Sequence, residues 1–311
     1  MLSHPLLSTW VGVVLISFSG VWVRLAGVEP ARSAFLRNAY ALPVLAGLVL
    51  WVRSRRGHPA RQPLLPVAVA AGVLLAADLI AWHASLGIIG VGLGTVLPNL
   101  QVVFVGLVSL VAFGERPHGG FWLALPVVLG GVWLLGAFGR PVVTGGSVLA
   151  GVALGVVAAL CYSGFLVGLR VARLRRPGAN AVETLASATL GATLASGTFA
   201  AVEGAVGPAP TWAANGWLLA LALGSQVAGW LLLTASIHRL PAALTSVALL
   251  LQPLLALLWG AALLDEPIGA GQVAGAAVLL LGVAGAHRAV VAGQREVPDE
   301  VALPVGDETL V

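Results

Sequence analysis

Long uncharged apolar runs recur along this chain, and they limit its fold more than any other feature of the sequence. Roughly 20 apolar residues in a helix are enough to cross the hydrocarbon core of a bilayer. Ten runs of this kind follow one another, separated by short connections that contain Gly, Pro or Arg. We predict ten membrane helices over 9–27, 33–52, 64–86, 91–113, 120–138, 147–169, 181–203, 214–237, 242–264 and 270–290. The predicted fold class is therefore an all-α membrane protein.

The charge content excludes a water-soluble domain of this size. Charged residues make up 9% of the chain and hydrophobic residues 59%, whereas soluble domains carry roughly 25% charged residues. So few charges cannot cover the surface of a 311-residue globule, and a lipid bilayer is the environment that such a surface requires. The single cysteine, Cys161, cannot form an internal disulfide.

Sequence motifs for cofactors and metals are missing. The glycine-rich run 87–94 joins two apolar runs and follows no strand, so it is not a nucleotide-binding fingerprint. The sequence contains no Walker motif, nucleophile elbow or metal-ligand spacing, and we expect neither cofactor, metal nor enzyme activity. The basic residues lie in separate connections and not in one patch, which argues against nucleic acid as a partner.

All 16 basic residues are arginines, and their placement predicts an orientation. With a cytoplasmic N-terminus, twelve of the 16 arginines fall on the cytoplasmic side and four outside. Cytoplasmic connections of membrane proteins carry an excess of basic residues. We therefore expect a multi-pass protein with both termini in the cytoplasm. The abundance of Gly and Ala and the absence of Lys indicate a GC-rich bacterial genome, and hence the bacterial cytoplasmic membrane.

The two halves of the chain resemble each other. Residues 84–136 align with 235–287 at a constant offset of 151, which places Gln101 on Gln252 and Glu115 on Glu266. Ala- and Gly-rich helices align by chance, and channels also carry duplicated halves, but matches between rare residues favour a true duplication. Because each copy holds five helices, the second copy must enter the membrane inverted. We predict a first repeat over 1–140, a second over 141–290 and a disordered acidic tail over 291–311.

A short acidic signature ends the fourth and the ninth run. It reads VAFGERP at 111–117 and LLDEP at 263–267, and glycines follow in the next run at Gly130-Gly131 and Gly282. This pattern resembles the recurring signature of the EamA-type transporters of the drug/metabolite transporter superfamily. The resemblance covers essentially the whole chain.

This resemblance implies ten helices, a central cavity between the halves, and transport of amino acids, nucleosides or other metabolites. The Gln252-Pro253 pair also resembles the family, but the first copy departs from it because Pro98 lies three positions before Gln101. We therefore expect the kink in the fourth helix about one turn away from its counterpart in the ninth.

Asp78 lies near the middle of the third predicted helix. A charge at the bilayer centre costs about 2.5–3.5 kcal/mol on insertion scales, so such residues usually face a cavity. Trp82 and Ser85 lie on the same helical face, whereas His83 points elsewhere. Asp78 is predicted to bind a proton, a cation or a substrate amine. The alternative is a buried contact between helices, with Asp78 protonated or paired with an arginine.

Gln101 and Gln252 lie at the centres of their predicted helices, each near a proline that frees a backbone carbonyl. Unpaired carbonyls at membrane depth are tolerated only against protein or a wet cavity. We expect a symmetric polar site there, with Asn99 as a weaker candidate. Hydrogen bonding between helices is the alternative role for both amides.

Gln226, Trp230 and Thr234 recur at a spacing of four in the eighth predicted helix. An amide, an indole and a hydroxyl on one face suit a substrate with an apolar body and polar ends, although helix packing would explain the same spacing. Tyr40, Asn38 and Tyr162 are weaker candidates. Glu115 and Glu266 are expected to shape helix ends. Arg24 and Arg37 are expected to extend to the outer interface.

The function that these features favour is a secondary or facilitative transporter, with export as the expected direction. Its expected partners are a small polar metabolite such as an amino acid, the lipid bilayer, a coupling proton or cation, and a second copy of the chain in a homodimer. A polytopic membrane enzyme and a non-transporting membrane protein are the alternatives. The former would need paired acids or metal ligands, and the latter would gain nothing from polar residues at mid-depth.

Overall fold

The structure is a computed structural model that describes residues 5–56, 65–113, 119–137, 147–176, 178–208, 211–264 and 268–295. Within these ranges every regular element is helical, which confirms the all-α prediction. The helices are α1 Pro5–Ser17, α2 Ser19–Ala26, α3 Pro30–Arg56, α4 Pro66–Val96, α5 Gln101–Ala112, α6 Gly119–Ala137, α7 Val148–Arg175, α8 Ala181–Val202, α9 Trp212–Ala220, α10 Trp230–Ser236, α11 Ala242–Leu249, α12 Gln252–Leu264 and α13 Ala270–Arg295. A 3₁₀ turn, Leu97–Leu100, precedes α5, and a π-helical segment, Leu221–Gly229, joins α9 to α10.

Six helices are long and apolar enough to cross a membrane. They are Pro5–Ala26, Ala31–Arg55, Leu149–Arg175, Ala181–Val202, Trp212–Ser236 and Val247–Leu264. Four shorter apolar helices, Pro66–Trp82, Leu97–Ala112, Gly119–Gly131 and Ala270–Ala286, fall where the other predicted runs lie.

The outer surface of the bundle is apolar. Trp212 is 93% exposed, Val111 86% and Leu123 79%. Water would penalise this exposure by about 25 cal/mol for each Å² of apolar surface. A helix that is apolar on every side is typical of a membrane environment.

Several predicted helix boundaries differ from the structure. The first, eighth and ninth predicted helices are interrupted at Phe18, at the π segment and at Leu250-Leu251. The predicted connection after residue 86 is helical, because α4 continues to Val96. The helix α13 continues to Arg295, so the predicted tail begins later than 291. Residues 296–311, Glu115 and Glu266 lie outside the described part.

The chain nevertheless reverses direction between Ser85 and Leu97. As the chain advances along α4, it contacts α7 at progressively lower residue numbers. Through the 3₁₀ turn and into α5, the residue numbers of the α7 contacts rise again. In chain order the pairs are Ala71 with Gly168, Leu74 with Gly164, Ser85 with Gly151, Leu97 with Gly155 and Gln101 with Ser163. The third and fourth predicted helices therefore pack against α7 in opposite directions.

The expected shift between the two proline kinks is not seen. The helix α5 begins at Gln101 and α12 begins at Gln252, which are equivalent positions in the two halves. Pro253 lies in the first turn of α12, where its missing N–H has no partner in the helix. Pro98 lies in the 3₁₀ turn just before α5. Both prolines thus lie within three residues of the same helical start, Pro98 before it and Pro253 just after it.

Glycines bring helices of the two halves into backbone contact. A Cβ on Gly72 of α4 would lie 1.8 Å from the carbonyl oxygen of Ala188 in α8. A Cβ on Gly191 of α8 would lie 2.1 Å from the carbonyl oxygen of Val69 in α4. Small residues are a common means of close helix approach in membranes.

The contact between α6 and α13 is reciprocal. Gly131 lies against Leu279, and Gly282 lies against Val128. The offset of 151 that aligns the halves converts one of these contacts into the other.

Candidate functional site

Polar side chains from six elements meet inside the apolar bundle. We call this group the central polar cluster, and its members are Arg37 of α3, Asp78 of α4, Tyr162 of α7, Thr189 of α8, Gln226 of the π segment and Gln252 of α12. Arg37 and Asp78 are each only 8% exposed, and Gln226 is fully buried. The first half of the chain contributes both charges and the second half contributes the neutral polar groups.

Arg37 lies inside the protein and does not extend to the outer interface, so that expectation was wrong. Its Nη2 donates a hydrogen bond of 2.8 Å to Oε1 of Gln226. The amide nitrogen of Gln226 in turn donates to Oγ1 of Thr189, at 3.4 Å. Two interior features explain the burial: this chain of acceptors and the opposite charge of Asp78.

Asp78 lies close enough to Arg37, Tyr162 and Cys161 to interact with them electrostatically. No hydrogen bond between described side chains uses its carboxylate. Two opposite charges in a low-dielectric interior stabilise each other, whereas a single charge there is strongly unfavourable. Asp78 and Arg37 therefore attract each other across the interior without a salt bridge between them, and the roles predicted for Asp78 stay predictions.

Tyr162 connects Asp78 to the ninth predicted helix. Its side chain lies near that of Gln252, and its ring lies edge-on to Trp230 at 6.2 Å between centroids. The neighbouring Ser163 donates to the backbone oxygen of Gln101 at 3.4 Å. The two glutamines predicted to form a symmetric site therefore contact adjacent residues of α7.

The predicted residues of the eighth helix make separate contacts. Gln226, Trp230 and Thr234 are at most 2% exposed. Gln226 bonds to Arg37, whereas Trp230 stacks edge-on against Phe165 at 4.7 Å. The hydrogen bonds of a π-helix span five residues, so a spacing of four that begins in the π segment does not follow one α-helical face.

Trp82 and Asn99, the other two predicted site residues, are both half-buried. Trp82 packs against the main hydrophobic core, and Asn99 lies in the 3₁₀ turn before α5. Ser85, predicted on the Asp78 face, donates to the carbonyl of Gly151 at 2.8 Å. The His83 side chain lies outside the described part.

Arg37 and Thr189 were missed as site residues, and Tyr162 was ranked low. One signal did point to Arg37: an aspartate at mid-membrane requires an opposite charge, and Arg37 is an arginine within an apolar run. Tyr162 and Thr189 carry no such signal, because their role depends on which helices become neighbours.

A second polar group lies at the C-terminal end of α7. Arg170 donates to the carbonyls of Ile237 and Leu240, and Nη2 of Arg173 lies 3.4 Å from Nε2 of His238. Burial, followed by the charges of nearby arginines, lowers the pKa of His238 to about 4. With this pKa, His238 is neutral at pH 7. It lies in the connection between two apolar helices.

Within the described residues, no group of three or more His, Cys, Asp or Glu side chains could hold a metal ion.

Comparison with known proteins finds a family match in the second half of the chain. A model of the EamA-like transporter family matches residues 149–287. Among curated proteins, none matches the sequence. A solved crystal structure, described only as that of a protein, has a TM-score of 0.76 and 18% sequence identity, covering 91% of this chain and 97% of the other. At that identity the likeness shows the fold alone.

The family match and the apolar helices support a multi-pass membrane protein and a membrane transporter. EamA-like proteins are transporters and not enzymes. Residues 149–287 therefore match the EamA-like transporter family, part of the drug/metabolite transporter superfamily.

Proposed function

We propose that this protein is a secondary or facilitative transporter that exports a small polar metabolite, such as an amino acid, by alternating access. The observation that carries this proposal is the central polar cluster. Its two charges come from one half of the chain and their neutral partners come from the other half. A polar site of this kind between two halves is the usual position of a substrate site in secondary transporters.

The proposal includes ten membrane helices in two inverted repeats, over 1–140 and 141–290. The reciprocal contact between α6 and α13 supports it, since a two-fold axis between equivalent helices produces such pairs. Ser85 and Ser236 supply a second pair, because each bonds to the first long helix of the opposite half. Both halves also restart a helix at the equivalent glutamine.

The polar cluster distinguishes this proposal from a non-transporting membrane protein. Each buried charge costs several kcal/mol to desolvate, and replacing an ion pair by apolar side chains is often neutral or stabilising. A protein that only had to remain folded in lipid would gain nothing from Asp78 and Arg37. A substrate that binds between them offers a reason to keep both.

The cellular setting belongs to the same proposal. The protein lies in the bacterial cytoplasmic membrane with both termini in the cytoplasm, and a proton or cation at Asp78 couples transport to a gradient. A homodimer is the proposed assembly.

Metabolite comparison followed by reconstitution tests the transport proposal. Metabolites are compared inside and outside cells with and without the protein, and each accumulating compound is then assayed for flux in proteoliposomes. We expect one class of small polar compounds to leave the expressing cells faster and to cross the vesicle membrane only when the protein is present. Unchanged metabolites and no protein-dependent flux would refute the transport function.

A further inference from the structure

We propose that Arg37 binds the carboxylate group of the transported compound, and that Gln226 and Thr189 hold the guanidinium in position for it. This inference rests on the proposed transport function and adds the chemistry by which the substrate is recognised.

The hydrogen-bonding capacity of Arg37 exceeds what the surrounding side chains use. A guanidinium carries five N–H donors. Among the described residues the hydrogen bond from Nη2 to Gln226 is the one made by this side chain, and the buried Nε has no partner. A buried cation with unused donors lacks the hydrogen bonds that would offset its desolvation. A carboxylate that accepts two parallel bonds from the guanidinium would provide them.

The surroundings of Arg37 restrict the ligand to a single negative charge. Asp78 faces Arg37 from α4, Tyr162 faces it from α7, and Gln226 faces it from the π segment. These groups supply no second cation, so a doubly charged phosphate would bring uncompensated charge into the bundle. The carboxylate end of a zwitterion whose amine meets Asp78 keeps the balance, and a monocarboxylate keeps it when Asp78 takes up a proton.

Gln226 is suited to position the arginine and not to bind the substrate. It is fully buried, its Oε1 accepts from Arg37, and its amide nitrogen is directed to Thr189. It lies in the π segment, a rare form that frequently marks functional sites in helices. The hydrogen bond with Gln226 thus fixes the guanidinium of Arg37, a residue 189 positions away in the sequence.

Matched ligands test the assignment. The probes are leucine, leucinamide, which lacks the carboxylate, and 4-methylpentanoate, which lacks the amine, together with the corresponding three compounds built on phenylalanine. Binding is read as the rise in melting temperature of the purified protein in detergent, and flux of the two amino acids and their amides is measured in proteoliposomes. We expect at least one carboxylate in the panel to bind, and its amide to bind at least about tenfold more weakly.

Variants separate the charge from its positioning. Arg37→Gln should abolish carboxylate binding, and Arg37→Lys should weaken it because an ammonium cannot form the planar pair of bonds. Gln226→Leu should raise the KM for a carboxylate about tenfold and leave the maximal rate closer to wild type. Arg55→Gln, on the exposed surface of the same helix, is the control and should change neither. If Arg37→Gln does not fold, Arg37→Lys and Gln226→Leu test the assignment in its place.

Equal binding of acid and amide, or wild-type carboxylate binding by Arg37→Gln, would overturn the assignment while leaving transport intact. A panel without any bound carboxylate would overturn it too. The metabolite comparison then decides separately whether the protein transports at all.

Discussion

At the residue scale, the free-energy cost of burying charge in this fold falls on a few side chains of the central polar cluster. Arg37 and Asp78 are charged and nearly buried, and their mutual attraction and one hydrogen bond offset only part of the desolvation. A neutral replacement of one charge removes its own desolvation cost but leaves the other charge buried without its partner, so each variant must be measured for stability as well as for function.

Asp78→Asn tests whether that carboxylate takes part in transport. The substitution keeps the shape and removes the charge, so we expect normal insertion but at least a tenfold loss of flux, or a loss of its pH dependence. Flux into proteoliposomes between pH 5 and 8 is the measurement, with expression and melting temperature as controls. Wild-type flux and pH dependence would mean that Asp78 only joins helices, and a variant too unstable to purify would also favour a structural role.

His238 should make the stability of the protein depend on pH. Its pKa is lowered from 6.5 to about 4 by burial and by the nearby arginines, so the unfolded chain binds its proton more readily than the folded one. The stabilisation is present above pH 6.5 and is lost as the pH falls toward 4. We expect His238→Gln to flatten the decrease in melting temperature across this range, and a decrease of unchanged steepness would contradict the assignment.

At the element scale, the helices are apolar on most faces, and small residues determine where they approach. The crossing of α4 and α8 brings Gly72 and Gly191 against backbone carbonyls, with no space for even a methyl group. Other glycines face open space, as Gly47 does in α3. The position of a glycine in the fold, and not its presence in the sequence, therefore determines its importance.

Gly72→Ala should destabilise the protein by roughly 1–3 kcal/mol, because its Cβ would force α4 away from α8. Gly47→Ala is the matched control, since an added Cβ meets nothing within 4 Å and alanine favours a helix. Melting temperatures in detergent compare the two variants. Equal stability of both would show that α4 and α8 are further apart than the structure places them.

At the scale of the whole molecule, reciprocal contacts relate α6 to α13, and the arginine bias favours one orientation in the membrane. The proposed topology has ten crossings and both termini in the cytoplasm. It predicts a cytoplasmic location for position 58 and an outer location for Glu203.

Cysteine labelling tests this topology. On a Cys161→Ala background, an impermeant thiol reagent should label Glu203→Cys in intact cells and should label His58→Cys only after permeabilisation. Labelling of residue 58 in intact cells would exclude the proposed orientation. Growth of both variants at wild-type levels serves as the check on insertion.

The sequence by itself determined the helical membrane class, the approximate positions of the apolar segments and the family resemblance, because the insertion of an apolar run into lipid depends mainly on its own composition. It also singled out Asp78, Gln226 and Gln252, since polar side chains are rare within such runs. The tertiary structure alone decided that Gln226 bonds to Arg37 and that Tyr162 lies near Gln252. Those partners are far apart in the chain, and only the packing of helices brings them together. The breaks at the π segment and before α12 likewise depend on neighbouring helices, which hydropathy does not describe.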